Sequence, residues 1–81
     1  DNTMELLKDI KDIIFNNNIS EPVVMRSAGG WYIGRVYNED GFIAPYDRLT
    51  EYMSKEDAIA LLNDREKIRW YYKRLNSLLE Q

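Results

Sequence analysis

The sequence predicts one α+β domain over residues 1–81: a helix, a three-stranded antiparallel β-meander, and a long or kinked C-terminal helix. Apolar residues recur at helical spacing near the start of the chain. Glycine-containing turns then separate β-prone runs in the middle, and a capping box opens a second helical pattern. A chain of 81 residues is large enough for a modest core but short for enclosing a deep cleft.

The first segment predicts a packing helix, because its apolar residues share one face and charged residues lie on the other. The apolar positions are Leu6, Leu7, Ile10, Ile13 and Ile14. We expect Thr3 or Asn2 to cap this helix at its N-terminus. The three asparagines at 16–18 should end it, since Asn tolerates a left-handed backbone conformation.

Two turns predict the three strands of the meander. Gly29 and Gly30 form the first, since a two-residue hairpin loop needs positive φ, which Gly adopts without a steric clash. This loop would place Ser27 opposite Tyr32. The second turn is predicted over residues 38–41, and a short fourth strand could follow at residues 51–53.

Side-chain alternation gives this meander two different faces. The aliphatic face is assigned to the core, and Gly34 in its middle would let a helix approach closely. Its members are Val23, Met25, Ser27, Tyr32, Gly34, Val36 and Ile43. The opposite face is rich in aromatic and arginine side chains, the types that dominate interface hot spots. Its predicted protein-binding residues are Arg26, Trp31, Arg35, Tyr37, Phe42 and Tyr46.

A structural interpretation of this second face stays open. A helix could cover it, or its arginines could cap aromatic edges above a second small core. If the face binds a partner instead, truncating Arg35 or Tyr46 should weaken binding and cost less than about 1 kcal/mol of stability.

Ser54 begins a capping box, so a helix should start near Lys55. Leu61, Ile68 and Leu75 form a heptad-like seam through which a homodimer could assemble. Unbroken to Leu79, this helix would be roughly 37 Å long, at ~1.5 Å per residue. A compact domain of this length is only about 30 Å across, so we favour a break at Asn63 and Asp64 over a projecting helix.

The C-terminal segment is locally basic and suggests an alternative function. Residues 65–81 carry five basic and two acidic side chains, whereas residues 1–64 carry six basic and twelve acidic ones. A basic stripe with neighbouring aromatic rings could bind DNA or RNA through phosphate contacts and base stacking. The residues for this alternative are Arg65, Arg69, Trp70, Lys73 and Arg74. The net charge of the chain is −3, which argues against a general nucleic-acid binder, so this function ranks second.

Composition argues against an enzyme. The chain has no Cys and no His, which removes disulfides, thiolate zinc sites and imidazole acid–base catalysis. Its paired carboxylates are accounted for by turns and helix capping, so we expect no catalytic residue, no metal site and no cofactor. Without a long apolar run or a signal-like start, the sequence predicts a cytoplasmic protein that does not enter a membrane.

Residues 29–62 contain a W-Y-I-G-R strand, a P-Y-D-R turn and an S-K-E-D-A helix start. In these motifs the chain resembles small uncharacterised accessory proteins of bacteriophages and other mobile elements. The resemblance implies a non-catalytic module that binds a host or element protein, including inhibitors of CRISPR or restriction nucleases. A nucleic-acid-binding enzyme is therefore the expected class of partner, toward which the acidic surface would steer the module.

Overall fold

The computed structural model describes residues 4–80, in which six short or medium strands form one antiparallel sheet and two helices pack on it. The expected caps Thr3 and Asn2 lie outside the described residues. The strands are β1 (Glu5–Leu6), β2 (Phe15–Asn16), β3 (Ile19–Ser20), β4 (Val23–Ser27), β5 (Gly30–Glu39) and β6 (Phe42–Arg48). The helices are α1 (Lys55–Leu62) and α2 (Arg65–Leu79), and a 3₁₀ turn spans Ile10–Asp12.

The α+β class is confirmed, but the predicted architecture is wrong at the N-terminus and in strand number. The predicted first helix is instead β1, the 3₁₀ turn and the β2–β3 hairpin. A short isolated helix is marginal, whereas β1 gains ladder hydrogen bonds by pairing Leu6 with Met25 on β4. Asp9 caps the 3₁₀ turn by accepting a hydrogen bond from the Lys11 amide at 3.3 Å.

The asparagine run lies in a hairpin turn rather than at a helix end. Asn17 and Asn18 have φ of 53° and 68°, the left-handed values that a two-residue primed turn requires. They connect Phe15–Asn16 to Ile19–Ser20, with Asn16 opposite Ile19. The left-handed backbone conformation expected of these asparagines is present, but it forms a hairpin turn and not the end of a helix.

The three longest strands, β4, β5 and β6, occupy the region of the predicted meander, with a shifted register. Ser27 pairs with Gly30 rather than Tyr32, and Phe42 pairs with Glu39 rather than Tyr37. Each shift is by two residues, so the alternation is preserved and the predicted grouping of side chains by face is retained. Residues 51–53 form no strand and contribute one isolated bridge, between Met53 and Trp31.

Both faces of the sheet are buried by other parts of the chain. On one face Ile13, Val23, Met25, Tyr32 and Val36 form a core that the N-terminal segment covers. On the other face Val24 and Ile33 pack with Leu49 and Ala58, and α1 and α2 cover them. The two helices therefore cover the part of the aromatic and arginine-bearing face that lies nearest to them, as the structural interpretation of that face predicts.

Gly34 permits a close approach between strands, not the predicted approach of a helix. A Cβ at this position would lie 2.5 Å from the Asp47 carbonyl oxygen of β6 and 3.2 Å from Met25 Sδ. The pairing of β5 with β6 is irregular next to it, between Arg35 and Val36. This bulge leaves Tyr46 without a pairing partner and lets the strand bend.

The predicted break in the C-terminal helix is present. Asn63 caps the end of α1, and Asp64 caps α2 by accepting a hydrogen bond from the Lys67 amide at 3.2 Å. Ser54 caps α1 as expected, accepting from the Asp57 amide at 3.1 Å. Because the helices fold back onto the sheet, the described residues fit within 30 × 28 × 24 Å.

Candidate functional site

The predicted binding residues separate into two groups at the two ends of the sheet. Arg26 and Lys55 both lie against the Trp31 ring, with their cationic atoms 5.6 and 5.4 Å from its centroid. Trp31 itself is half-buried and packs against the core under the helices. This group stabilises the junction between the sheet and α1, and Trp31 offers little free area.

Arg35 anchors the second group. Its Nε donates to Asp47 Oδ1 at 3.2 Å and to Oδ2 at 3.0 Å, and its Nη2 also donates to Oδ2. The guanidinium carbon lies 5.4 Å from the Tyr46 ring centroid and 5.1 Å from that of Tyr72. Arg35 therefore ties β5, β6 and α2 together.

The electrostatics of this anchor follow from its partners. The hydrogen bonds that Arg35 donates to the Asp47 carboxylate raise the pKa of Arg35 above its usual value, so the guanidinium stays charged. Burial is the main cause of the raised pKa of the Tyr72 hydroxyl. A partly desolvated cation between two aromatic rings and a carboxylate is a rigid arrangement, and it fixes the position of Tyr46.

The aromatic surface, which we define as Tyr37, Phe42 and Tyr46, is the exposed part of the second group. Phe42 is 80% exposed and Tyr46 is 51% exposed. The rings of Tyr37 and Tyr46 stack at 6.4 Å between centroids, and strand alternation places Phe42 on the same face. These side chains can bury large apolar areas against another molecule with little loss of conformational freedom.

An acidic turn borders this surface. Glu39 and Asp40 are both exposed where β5 turns into β6, and Glu39 is paired with Phe42. The turn is held by positive φ at Asp40 and Gly41 and by a hydrogen bond from the Gly41 amide to Asn38 Oδ1 at 3.0 Å. Two carboxylates thus lie at a fixed position beside the exposed Phe42.

The residues of the nucleic-acid alternative lie on two sides of α2. Arg65 and Arg69 face the N-terminal strands across an apolar depression. Trp70, 56% exposed, lies beside a depression next to α1, and Arg74 stacks on it with its guanidinium carbon 5.7 Å from the ring centroid. Lys73 is exposed. The helix therefore divides these side chains, and they do not form one continuous stripe.

Sequence reasoning missed two parts of the Arg35 arrangement, Asp47 and Tyr72. Asp47 lies in the P-Y-D-R motif, where an acidic residue next to Tyr46 was a visible signal. Tyr72 comes into contact only because α2 folds back on the sheet, and nothing local in the sequence indicates that. Among residues 4–80, no three acidic side chains come close enough together to hold a metal ion.

Comparisons with family models, with curated proteins and with solved structures give no match to this chain. None of the helices within residues 4–80 combines the length and apolar character needed to cross a membrane.

Proposed function

We propose that this protein is a non-catalytic protein-binding module whose contact face is the aromatic surface. The observation that carries the proposal is Phe42, which leaves 80% of its area in water at the start of β6. Burying such a side chain against a partner contributes roughly 1.5–3 kcal/mol, and the fold itself gains nothing from its exposure. A large exposed aromatic residue on the same face as a second exposed ring is typical of an interface anchor.

The rigidity of the aromatic surface supports the same role. Tyr46 is held by the ring of Tyr37 on one side and by the Arg35 guanidinium at 5.4 Å. Because these contacts already exist in the free protein, binding pays little to order the side chains. A preorganised aromatic pair on the same face as the exposed Phe42 provides apolar area for affinity and a defined shape that a partner can match.

The acidic turn favours a partner with a basic surface. Glu39 and Asp40 lie beside Phe42, and the whole chain carries a net charge of −3. Opposite charges at the edge of an interface speed association and select the partner. A nucleic-acid-binding enzyme of the host, such as a CRISPR or restriction nuclease, has this character, and inhibition of such a nuclease is a role that the resemblance to phage accessory proteins implies.

Nucleic-acid binding remains a second candidate because of Trp70 and Arg74. Both side chains are exposed, and their stacked arrangement would suit an unpaired base and its phosphate. The other basic side chains of α2 do not extend this contact, which ranks it below the aromatic surface.

Matched substitutions distinguish the two candidates. The immobilised full chain is used to capture proteins from a host lysate, and the captured protein is identified by mass spectrometry. We expect Phe42→Ala to weaken capture by more than about 1 kcal/mol, the usual threshold for an important interface residue, and Trp70→Ala to leave it unchanged. Both side chains are exposed aromatics, so each controls for the other.

The opposite pattern would overturn the proposal. If Trp70→Ala abolished binding and Phe42→Ala did not, the contact face would lie on α2. If the chain instead bound DNA or RNA with an affinity that fell steeply with salt and depended on Trp70 and Arg74, the second candidate would replace the first.

A further inference from the structure

An apolar groove lies between α2, the end of α1, and residues 7–8 and 21–24. It encloses about 570 Å³. We call it the α2 groove and define its apolar lining as Leu7, Pro22, Val24, Leu62, Ile68 and Tyr72. Leu7 is 43% exposed at its edge, so a large aliphatic side chain lies in contact with water there.

Cationic side chains line the same groove. Arg65 and Arg69 border it on the α2 side, and Lys8 borders it on the opposite side. The ion pairs found within residues 4–80 engage Lys8 with Glu21, Arg26 with Glu5 and Arg35 with Asp47. Arg65 and Arg69 take part in none of these, so an apolar floor is combined with two guanidinium groups available to an external carboxylate.

A second depression of about 340 Å³ adjoins the groove, and both have Glu21 and Tyr72 in their lining. Ile14, which is largely exposed, and Ile19 line this second part. Small-molecule sites usually enclose most of the ligand surface, whereas this surface is open to solvent along both depressions. Its shape fits a stretch of polypeptide better than a compact ligand.

We propose that the α2 groove binds a segment of another protein that carries an apolar anchor side chain flanked by acidic residues. The anchor would lie against Leu7, Val24 and Ile68. The flanking carboxylates would accept hydrogen bonds from Arg65 and Arg69. No residue of the aromatic surface takes part, so this is a second docking site with the opposite charge preference, and it does not depend on the first.

A peptide selection tests the proposal directly. The full chain is immobilised and screened against a display library of random peptides of about twelve residues, long enough to span such a groove. We expect enriched sequences to place Leu, Ile, Phe or Met next to Asp or Glu. The affinity of a synthesised, labelled winner is then measured by fluorescence polarisation.

The double variant Arg65→Ala with Arg69→Ala should weaken binding of this peptide by about tenfold or more, since two charged contacts are lost. The control, Lys67→Ala with Lys73→Ala, removes the same charge from the same helix outside the α2 groove and should change the affinity less than about twofold. Leu7→Ser should weaken binding, whereas Ile10→Ser, at a similarly exposed position outside the groove, should not. Thermal melting of each variant verifies folding.

Three outcomes would overturn the proposal: no enriched peptide, enriched peptides that lack acidic residues, or equal weakening by both double variants. A dimer of the chain alone that the arginine substitutions abolish would show that a second copy occupies the groove, which also contradicts it. Loss of binding through Phe42→Ala would place the peptide on the aromatic surface instead.

Discussion

Two buried hydroxyl groups complete the hydrogen bonding of the central strand β5. Ser20 Oγ accepts from the Val36 amide at 2.9 Å and donates to the Glu21 carbonyl at 2.8 Å. Thr50 Oγ1 accepts from the Ile33 amide at 3.0 Å and donates to the Glu51 carbonyl at 3.0 Å. Ile33 and Val36 are fully buried, so water cannot replace these partners.

Thr50→Val should therefore destabilise the fold by about 1–3 kcal/mol, because it keeps the shape of the side chain and leaves the buried Ile33 amide without an acceptor. Thr50→Ser is the matched control, since it retains the hydroxyl and should cost less. Urea unfolding followed by circular dichroism measures both. A smaller loss in Thr50→Val than in Thr50→Ser would mean that the methyl group, and not the hydrogen bond, is what matters.

Arg35 has a structural role, as the structural interpretation of its face allowed, because it lies over the rings of Tyr46 and Tyr72. Its side chain and that of Asp47 are only 22% and 17% exposed. Removing the guanidinium would leave a partly buried carboxylate without its main donor. We therefore expect Arg35→Ala to lower the free energy of unfolding by about 1–3 kcal/mol. Truncating an exposed contact residue would lower it by less than about 1 kcal/mol.

Arg26→Ala provides the comparison, because Arg26 pairs with Glu5 at 3.6 Å on the surface and should cost less than about 1 kcal/mol. A double-mutant cycle with Arg35→Ala and Asp47→Ala isolates the interaction energy between these two side chains. A coupling energy near zero would contradict the anchoring role of Arg35. The Tyr46 expectation is unchanged, since that ring is half exposed.

At the scale of elements, the N-terminal segment folds around a single carboxylate. Glu21 Oε2 accepts from the Ile14 amide at 3.0 Å and from Lys8 Nζ at 3.2 Å. The Glu21 amide also donates to the Ile14 carbonyl at 2.9 Å. These bonds close the β2–β3 hairpin against the residues that precede it, in a segment that contains no long helix or strand.

This arrangement predicts a pH dependence. The hydrogen bond from Ile14 is the main cause that lowers the pKa of Glu21 below its usual value of 4.5. A lowered pKa in the folded state stabilises the protein above the unfolded value, and this contribution is lost as the pH falls through 4.5 and then through the folded pKa. Glu21→Gln should therefore lower the melting temperature near neutral pH and make less difference in acid.

Melting temperatures of the wild type and Glu21→Gln, measured at about pH 7 and about pH 3, test this expectation. Glu5→Gln is the control, because Glu5 makes only an exposed ion pair with Arg26. A constant difference between wild type and Glu21→Gln at both pH values would show that the carboxylate charge contributes nothing.

For the molecule as a whole, β5 joins the two cores and contributes Tyr37 to the aromatic surface. Its side chains alternate between the core under the N-terminal segment and the core under the helices. Near the C-terminal end of β5, Tyr37 belongs to the aromatic surface and Glu39 to the acidic turn. The α2 groove lies where α2 meets the start of β4. The acidic turn and the basic groove thus present opposite charges from one small domain.

Features that depend on neighbouring residues could be predicted from the sequence. Ser54, Asn63 and Asp64 located the helix ends, because capping is decided by groups a few residues apart. The strand faces were also predictable, since shifting the register by two residues leaves the alternation intact.

The conformation of the N-terminal segment and the contacts of Arg35 depend on long-range packing. The spacing of Leu6, Leu7 and Ile10 suits a helix, yet the open edge of β4 supplies hydrogen bonds that make a strand better there. Arg35 meets Asp47 and Tyr72 because a bulge bends β6 and because α2 folds back. Such contacts join residues far apart in the chain, and their energies depend on surfaces that exist only after the sheet has formed.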